Sequence, residues 1–333
     1  MIRRFAGVLA CAVAIGSVAA ADGPRRAIWA PPGWSESPSA VRRAIATAEA
    51  SRADTVLVPV APQAPSDGAV TALIDAARAR GLRVFLSVDA SLVATAGELP
   101  AARDHVIYQH PEWLMVPREL SRELQRLEPQ SPDYLGRLAR WSRVNTDRVD
   151  GLYVSPLTRA AALFVAGRIR SVVERFPVDG VHVSSLLYPA GDFDYSRAAL
   201  EAFRTEVVHD IPAAERRAAD DVYGLNPFAY VEHYPEAWRR FRQTQLTALA
   251  TLVRSEIRKV RPGAPVVATV AGDAAAALRG HLQDWSTWLD NGFLDAVLQP
   301  DGVGDAWGFT AASGPGVGSS MPVGPAPPVV LAR

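Results

Sequence analysis

Short apolar runs rich in β-branched residues recur along this chain, and most are followed by a segment with helical spacing. Six such runs are legible: 25–31 (RRAIWAP), 55–61 (TVLVPVA), 82–90 (LRVFLSVDA), one beginning at Val178 (VDGVHV), 264–271 (APVVATVA) and 294–300 (LDAVLQP). Strands that are apolar nearly throughout, instead of at every second residue, are buried on both faces. Between them, Val41, Ile45 and Ala48 share one helical face. So do Val70, Leu73, Ile74 and Ala77, and further on Val165, Ile169, Val172, Val173 and Phe176. Gly81 and Pro177 punctuate two of these helices. Strand–helix alternation of this kind demands a parallel sheet covered by helices. The fold class expected is α/β: a (β/α)8 TIM-type barrel, complete or incomplete at its C-terminal end. An open doubly wound parallel sheet is the alternative. A closed barrel of this type needs eight strands, and six are visible.

The remainder is less regular. Residues 91–155 carry aromatics in what read as long loops, HPEWLMVPREL and SRVNTDRVDGLYVSP. A helical region at 196–260 is broken near Pro212 and Pro227, and HLQDWSTWLDNG reads as a helix stopped at Gly292. From Gly302 the chain is rich in Gly and Pro without periodicity. Residues 302–333 are therefore expected to form a loosely attached or disordered tail, with VVLAR as a candidate short strand. At the start, Arg3 and Arg4 precede an apolar run, 5–18, that is short for a bilayer span and ends in Ala19, Ala20 and Ala21. This is the plan of a secretory signal. The expected domains are a signal peptide at 1–21, a barrel domain at 25–301 and the tail at 302–333. The expected location is outside the cytoplasm, periplasmic or secreted. Cys11 is the single cysteine, and VLAC is a poor lipoprotein box because Leu9 fits it badly. An exported chain without Cys11 has no disulfide and no thiolate metal site.

The 35 basic and 35 acidic residues balance, which leaves no electrostatic footprint for nucleic acid or anionic lipid. No later segment is long and apolar enough to cross a membrane. The histidines show no metal-ligand spacing, no cofactor motif is present, and GPGVG lacks the strand-before, helix-after context of a phosphate loop. The oligomeric state is not encoded in any legible feature.

In either α/β architecture the site lies at the carboxyl ends of the strands. That rule selects Trp29, Asp89, Ser184, Ser185, Asp273, Gln299 and Asp301, with the loop LLYPAGDFDY supplying Tyr188, Asp192 and Asp194. Each has a plainer reading. Trp29 also serves as a barrel cap, while Asp89 and Asp273 precede helices, where N-caps are common. Asp192 and Asp194 suit turns. His182 alternates with the strand valines, and a satisfied buried histidine is its default role. Asp179, at the strand's start, reads as structural. Ser184 and Ser185 lack nucleophile-elbow glycines, which argues against a serine hydrolase. The aromatics Trp113, Tyr153, Tyr188, Tyr195, Trp285, Trp288 and Trp307 suit either sugar stacking or core packing.

The fragment ERFPVDGVHVSSLLYP, through Asp179, Gly180, Val181, Tyr188 and Pro189, resembles the fourth-strand pattern of the glycosyl hydrolase-like 10 family. FDY at Phe193, Asp194 and Tyr195 fits as well. RRAIWA, ARARGLRVFLSVDA, HPEWLM, the helix carrying Trp238, Arg239 and Arg240, and WLDNGFLDAVLQP resemble further family segments in the same order, across roughly 25–300. In the last of these Gln299-Pro300 reverses the family order. The resemblance implies a bacterial secreted or lipid-anchored barrel acting on carbohydrate, with polysaccharide or peptidoglycan-type glycan as the expected partner.

The chain departs from the family where it matters for chemistry. Ser184-Ser185 stands in place of the family's Asp-Asp pair. Glycoside hydrolysis ordinarily needs two carboxyl groups about 5–10 Å apart, one to protonate the leaving oxygen and one to attack or activate water. Two expectations follow. Either relocated carboxylates (Asp89, Asp192, Asp194 and Asp273) converge and hydrolyse, or a catalytically inactive barrel binds glycan through Trp29, His182, Ser184, Ser185, Tyr188, Gln299 and Asp301. A purely structural envelope role is a third reading.

Overall fold

The computed structural model describes residues 26–60, 67–300 and 305–311. Nine strands form in chain order: β1 (Arg26–Trp29), β2 (Thr55–Pro59), β3 (Arg83–Asp89), β4 (Leu92–Thr95), β5 (Gly151–Tyr153), β6 (Gly180–Ser184), β7 (Val266–Thr269), β8 (Ala296–Pro300) and β9 (Trp307–Ala311). Seven of them close a barrel in the order β1-β2-β3-β6-β7-β8-β9. Neighbours from β1 through β8 run parallel, while β9 runs antiparallel to both β8 and β1. The architecture is an incomplete (β/α)8 barrel, closed and predominantly parallel, and not an open sheet.

All six expected runs became barrel strands, and the seventh corrects an expectation. Trp307–Ala311 falls in the stretch expected to be an irregular tail, yet it pairs Pro300 with Trp307 and Ala27 with Trp307 and so closes the ring. VVLAR, the signal segment with Cys11, and the remainder of the tail lie outside the described residues. The ring is short of eight because β3 pairs directly with β6. The intervening chain instead makes β4 and β5, a separate antiparallel pair, together with helices at Arg118–Leu124 and Pro132–Val144. These replace the long loops expected at 91–155.

Alternation along the strands divides two cores. Val56, Val58, Val84, Leu86, Val88, Val181, Val183, Val266 and Val297 face the helical layer. Ala27, Leu57, Phe85, Val267, Ala296, Leu298 and Trp307 fill the barrel. Each fully buried Val, Leu or Phe contributes on the order of 1.5–3 kcal/mol. Gly180 is required beside Phe85, because a Cβ there would lie 2.4 Å from the ring carbon Cζ. Carboxylates at the strand starts pin neighbouring backbones. Asp179 accepts from Val84 N at 2.9 Å, and Asp295 accepts from Val266 N at 2.8 Å while pairing bidentately with Arg254. The structural reading of Asp179 holds.

Pro212 and Pro227 do interrupt the region after β6, which forms helices Arg197–Val207, Ala213–Tyr223, Ala229–His233 and Pro235–Val260. These gather a satellite aromatic core around Phe203, Phe228, Tyr230 and Trp238. No helix among the described residues is long and apolar enough to cross a membrane.

Candidate functional site

Strand register lets the site be built layer by layer inside the barrel. Phe85 and Phe309 meet edge-on at 5.9 Å near the strand starts, with the Arg83 guanidinium over both rings. One layer up, three neighbouring strands present Ser87, His182 and Thr269. His182 Nδ1 pairs with the Ser87 hydroxyl at 2.8 Å and Nε2 with the Thr269 hydroxyl at 2.7 Å. The ring is fully buried, and burial lowers its pKa to about 3. His182 is therefore neutral, with both nitrogens engaged by protein hydroxyls, surroundings that suit the structural reading of this residue. Above it stands Trp29, perpendicular to the imidazole at 5.2 Å and partly exposed.

The top layer holds the opening's chemistry. Asp89 Oδ1 accepts from Ser184 Oγ at 2.7 Å and from Ser185 Oγ at 2.9 Å. Both serines are partly exposed and converge on this carboxylate, away from the helical layer. Asp89 Oδ2 has no partner among the described residues, and Asp89 caps no helix. Ser185 adopts φ +52, a left-handed conformation that costs a non-glycine residue about 1 kcal/mol. The turn brings its hydroxyl onto Asp89. Arg168, from the helix Arg159–Glu174, donates to the backbone carbonyls of Asp89 and Ala90 and holds the end of β3 in place. Sequence reasoning passed over Arg168. The only signal was a charged residue adjoining the apolar stripe of that helix.

The other expected site residues lie elsewhere. Asp194 has no exposed surface. Its Oδ1 accepts from Val116 N and Ser196 N, both at 2.8 Å, and its Oδ2 from Ser196 Oγ at 3.1 Å. Burial outweighs these donors and raises its pKa to about 6. It ties the loop after β6 to the segment at Val116 and does not face the opening. Asp192 bridges to Arg148 at 2.8 Å, and Asp273 caps the helix Ala274–His281 through Ala276 N. The four carboxylates expected to converge do not, because three of them serve local backbone or ion-pair roles. Tyr188 is fully buried beneath Arg242. Gln299 has the outward parity of Val297 and donates to Gly272 O. Neither points into the barrel. Asp301 lies outside the described residues. Tyr153, Tyr188 and Trp288 are core residues, whereas Trp307 lines the barrel beside the opening. No cluster of three or more metal-ligating side chains occurs among the described residues.

The inward strand-end positions are thus Trp29, Pro59, Asp89, Ser184, Thr269, Pro300 and Trp307: one carboxylate, two hydroxyls and aromatic walls. Such a surface hydrogen-bonds polar groups and stacks on an apolar face.

The description "Glycosyl hydrolase-like 10" belongs to a family model that matches residues 59–300. No curated protein matches the chain. Among solved structures, the glycoside hydrolase domain of PgaB (BpsB) from Bordetella bronchiseptica is similar over 83% of this chain and 73% of its own, at 11% identity and TM-score 0.47. A catalytic mutant of the β-galactosidase Gan42B from G. stearothermophilus is similar over 79% of this chain, at 15% identity and TM-score 0.49. A β-galactosidase from Bacillus circulans sp. alkalophilus is similar over 82%, at 14% and 0.49. This chain spans only 37% and 39% of those two β-galactosidases.

Proposed function

The chain belongs to the glycosyl hydrolase-like 10 family, and from that premise we propose that it is an exported barrel that binds glycan at its strand-end opening without cleaving it. One observation supports this reading: among the described inward strand-end positions Asp89 is the one carboxylate, and hydroxyls occupy its Oδ1. The two-acid route needs a second carboxyl group ~5–10 Å away. A serine hydroxyl without a base supplies neither a ready acid nor a base. His182 cannot be that base, since both its nitrogens are taken. Loss of one general acid or base alone costs on the order of 10²–10⁴-fold.

Binding remains well served. Trp29 offers a partly exposed aromatic face, Asp89 Oδ2 an acceptor without a partner among the described residues, and Ser184 and Ser185 further hydroxyls. Envelope or extracellular glycan is the substrate class that accords with the signal-like plan of the first residues.

The test is a glycan array combined with a reducing-end assay on the exported protein. Binding without release of reducing ends, weakened in Asp89→Asn, supports the reading. Release that disappears in both Asp89→Asn and Asp301→Asn replaces it with hydrolysis by that pair, since residue 301 follows the last residue of β8.

A further inference from the structure

A cavity of about 380 Å³ opens beside the barrel end, between the loops that follow β6 and β7 and the start of the helix Pro235–Val260. Its size lies within the ~300–1,000 Å³ of small-molecule sites. Its walls carry Arg118, Arg239, Arg242 and Arg279 against one lining carboxylate, Glu232. Arg118 pairs with Glu232 and Arg239 with Glu236, which leaves Arg242 and Arg279 without a carboxylate among the described residues.

Arg242 is the informative one. It retains 5% of its surface, yet Nη1 meets only the carbonyls of Gly191 and Phe193. Nε is sealed without a partner, and Nη2 has no acceptor among the described residues. Trp238, 2% exposed on the same wall, also leaves its Nε1 unpaired. A buried cation normally has a counter-charge, because desolvation alone penalises it. Here the direct contacts are rings and carbonyls, with Arg242 over Tyr188, Tyr195 and Trp238, while the carboxylates of Asp194 and Asp192 act on it through space without touching it. The 26-residue helix begins at this wall without a side-chain cap, so its positive end adds to the field.

We propose that this cavity is an anion-binding subsite that holds the carboxylate or ester sulfate of an acidic glycan, with Arg242 and Arg279 as the cationic contacts. The proposal rests on the glycan-binding reading and narrows it to acidic saccharides. The geometry agrees, since Gly191 and Tyr195 lie in the connection that follows Ser184 at the end of β6, and Arg279 and Leu282 at the end of the helix Ala274–His281 that follows β7.

The test is calorimetric titration of the exported protein with an oligo-hexuronate, a neutral oligosaccharide of equal length, and inorganic sulfate. Arg279→Ala, Arg279→Lys and the non-lining control Arg240→Ala are compared. The hexuronate should bind at least about tenfold tighter than the neutral chain, as loss of a charge-assisted contact implies. Arg279→Ala should erase that preference and reduce the salt dependence, Arg279→Lys should restore part of it, and Arg240→Ala should leave it intact. Equal affinity for acidic and neutral chains, or a preference untouched by Arg279→Ala, overturns the subsite while leaving glycan binding standing. If neither oligosaccharide binds, the glycan reading fails. Sulfate binding then decides the cavity alone: dependence on Arg279 retains the anion site, and its absence removes it.

Discussion

His182 and Asp194 are both fully buried, and their protonation equilibria pull stability in opposite directions with pH. His182 has a folded pKa of about 3 against an ordinary 6.5. Between those values the unfolded chain takes a proton that the native ring refuses. Its contribution is complete above pH 6.5 and is lost as pH falls toward 3. Asp194 has a folded pKa of about 6 against an ordinary 3.8. The native state therefore takes the proton first, so its contribution is complete below pH 3.8 and is lost as pH rises through 6. Each group changes stability by about 1.4 kcal/mol per pH unit inside its window. From pH 6 to pH 4 the two slopes cancel. Asp194→Asn should remove the offset and make the protein lose about 3 kcal/mol over those two units relative to wild type. His182→Gln should instead make it gain a similar amount. Urea unfolding at pH 6, 5 and 4, followed by tryptophan fluorescence, measures the slope from midpoints at constant m. Both variants lower stability at every pH, but only the slope is tested, and background titration of surface carboxylates cancels in the comparison. Profiles of both variants parallel to wild type would refute the opposed-titration argument.

Three further outcomes follow from the packing. Gly180→Ala should cost ~2 kcal/mol or more because the new methyl meets the Phe85 ring, and Phe85→Leu in the same chain should recover much of it in a double-mutant cycle. Arg254→Met should cost about 2 kcal/mol in urea unfolding, below the ~3–5 of a sealed pair, since the Asp295 side chain stays 38% exposed. Trp29→Ala should weaken glycan binding by about tenfold or more in titration, as loss of a central aromatic anchor does, while leaving the far-UV circular dichroism unchanged.

The parallel barrel was legible because its strands are apolar on both faces, a pattern that survives without any knowledge of neighbours. Strands outside the parallel set were hidden. β4 and β5 hold four and three residues, and the clue to their pairing was Gly151, where a Cβ would lie 1.9 Å from Ala94 O. The helix Pro132–Val144 did carry a start signal, Ser131 capping Tyr134 N ahead of a proline, but its many charges diluted the apolar face. β9 sits among glycines and is half exposed, so composition masked its alternation. Of the residues that the strand-end rule selects, Trp29, Asp89 and Ser184 turn into the barrel, since period-2 parity fixes which way they point. Asp192, Asp194 and Tyr188 belong to a loop, where no period exists, and their directions were set by Arg148, by Val116 N and by Arg242. His182 had the right parity but the wrong depth, because depth depends on register with β3 and β7.

The reversed final strand makes ring completion a late event. Ala27 and Trp307 meet across about 280 residues of sequence, so on the ribosome the first strand emerges long before its last partner. Until residues 307–311 arrive, β1 and β8 both display unsatisfied amide rows, the template that foreign chains extend into aggregates. Folding of this protein therefore has a vulnerable interval that ends only when one five-residue segment docks.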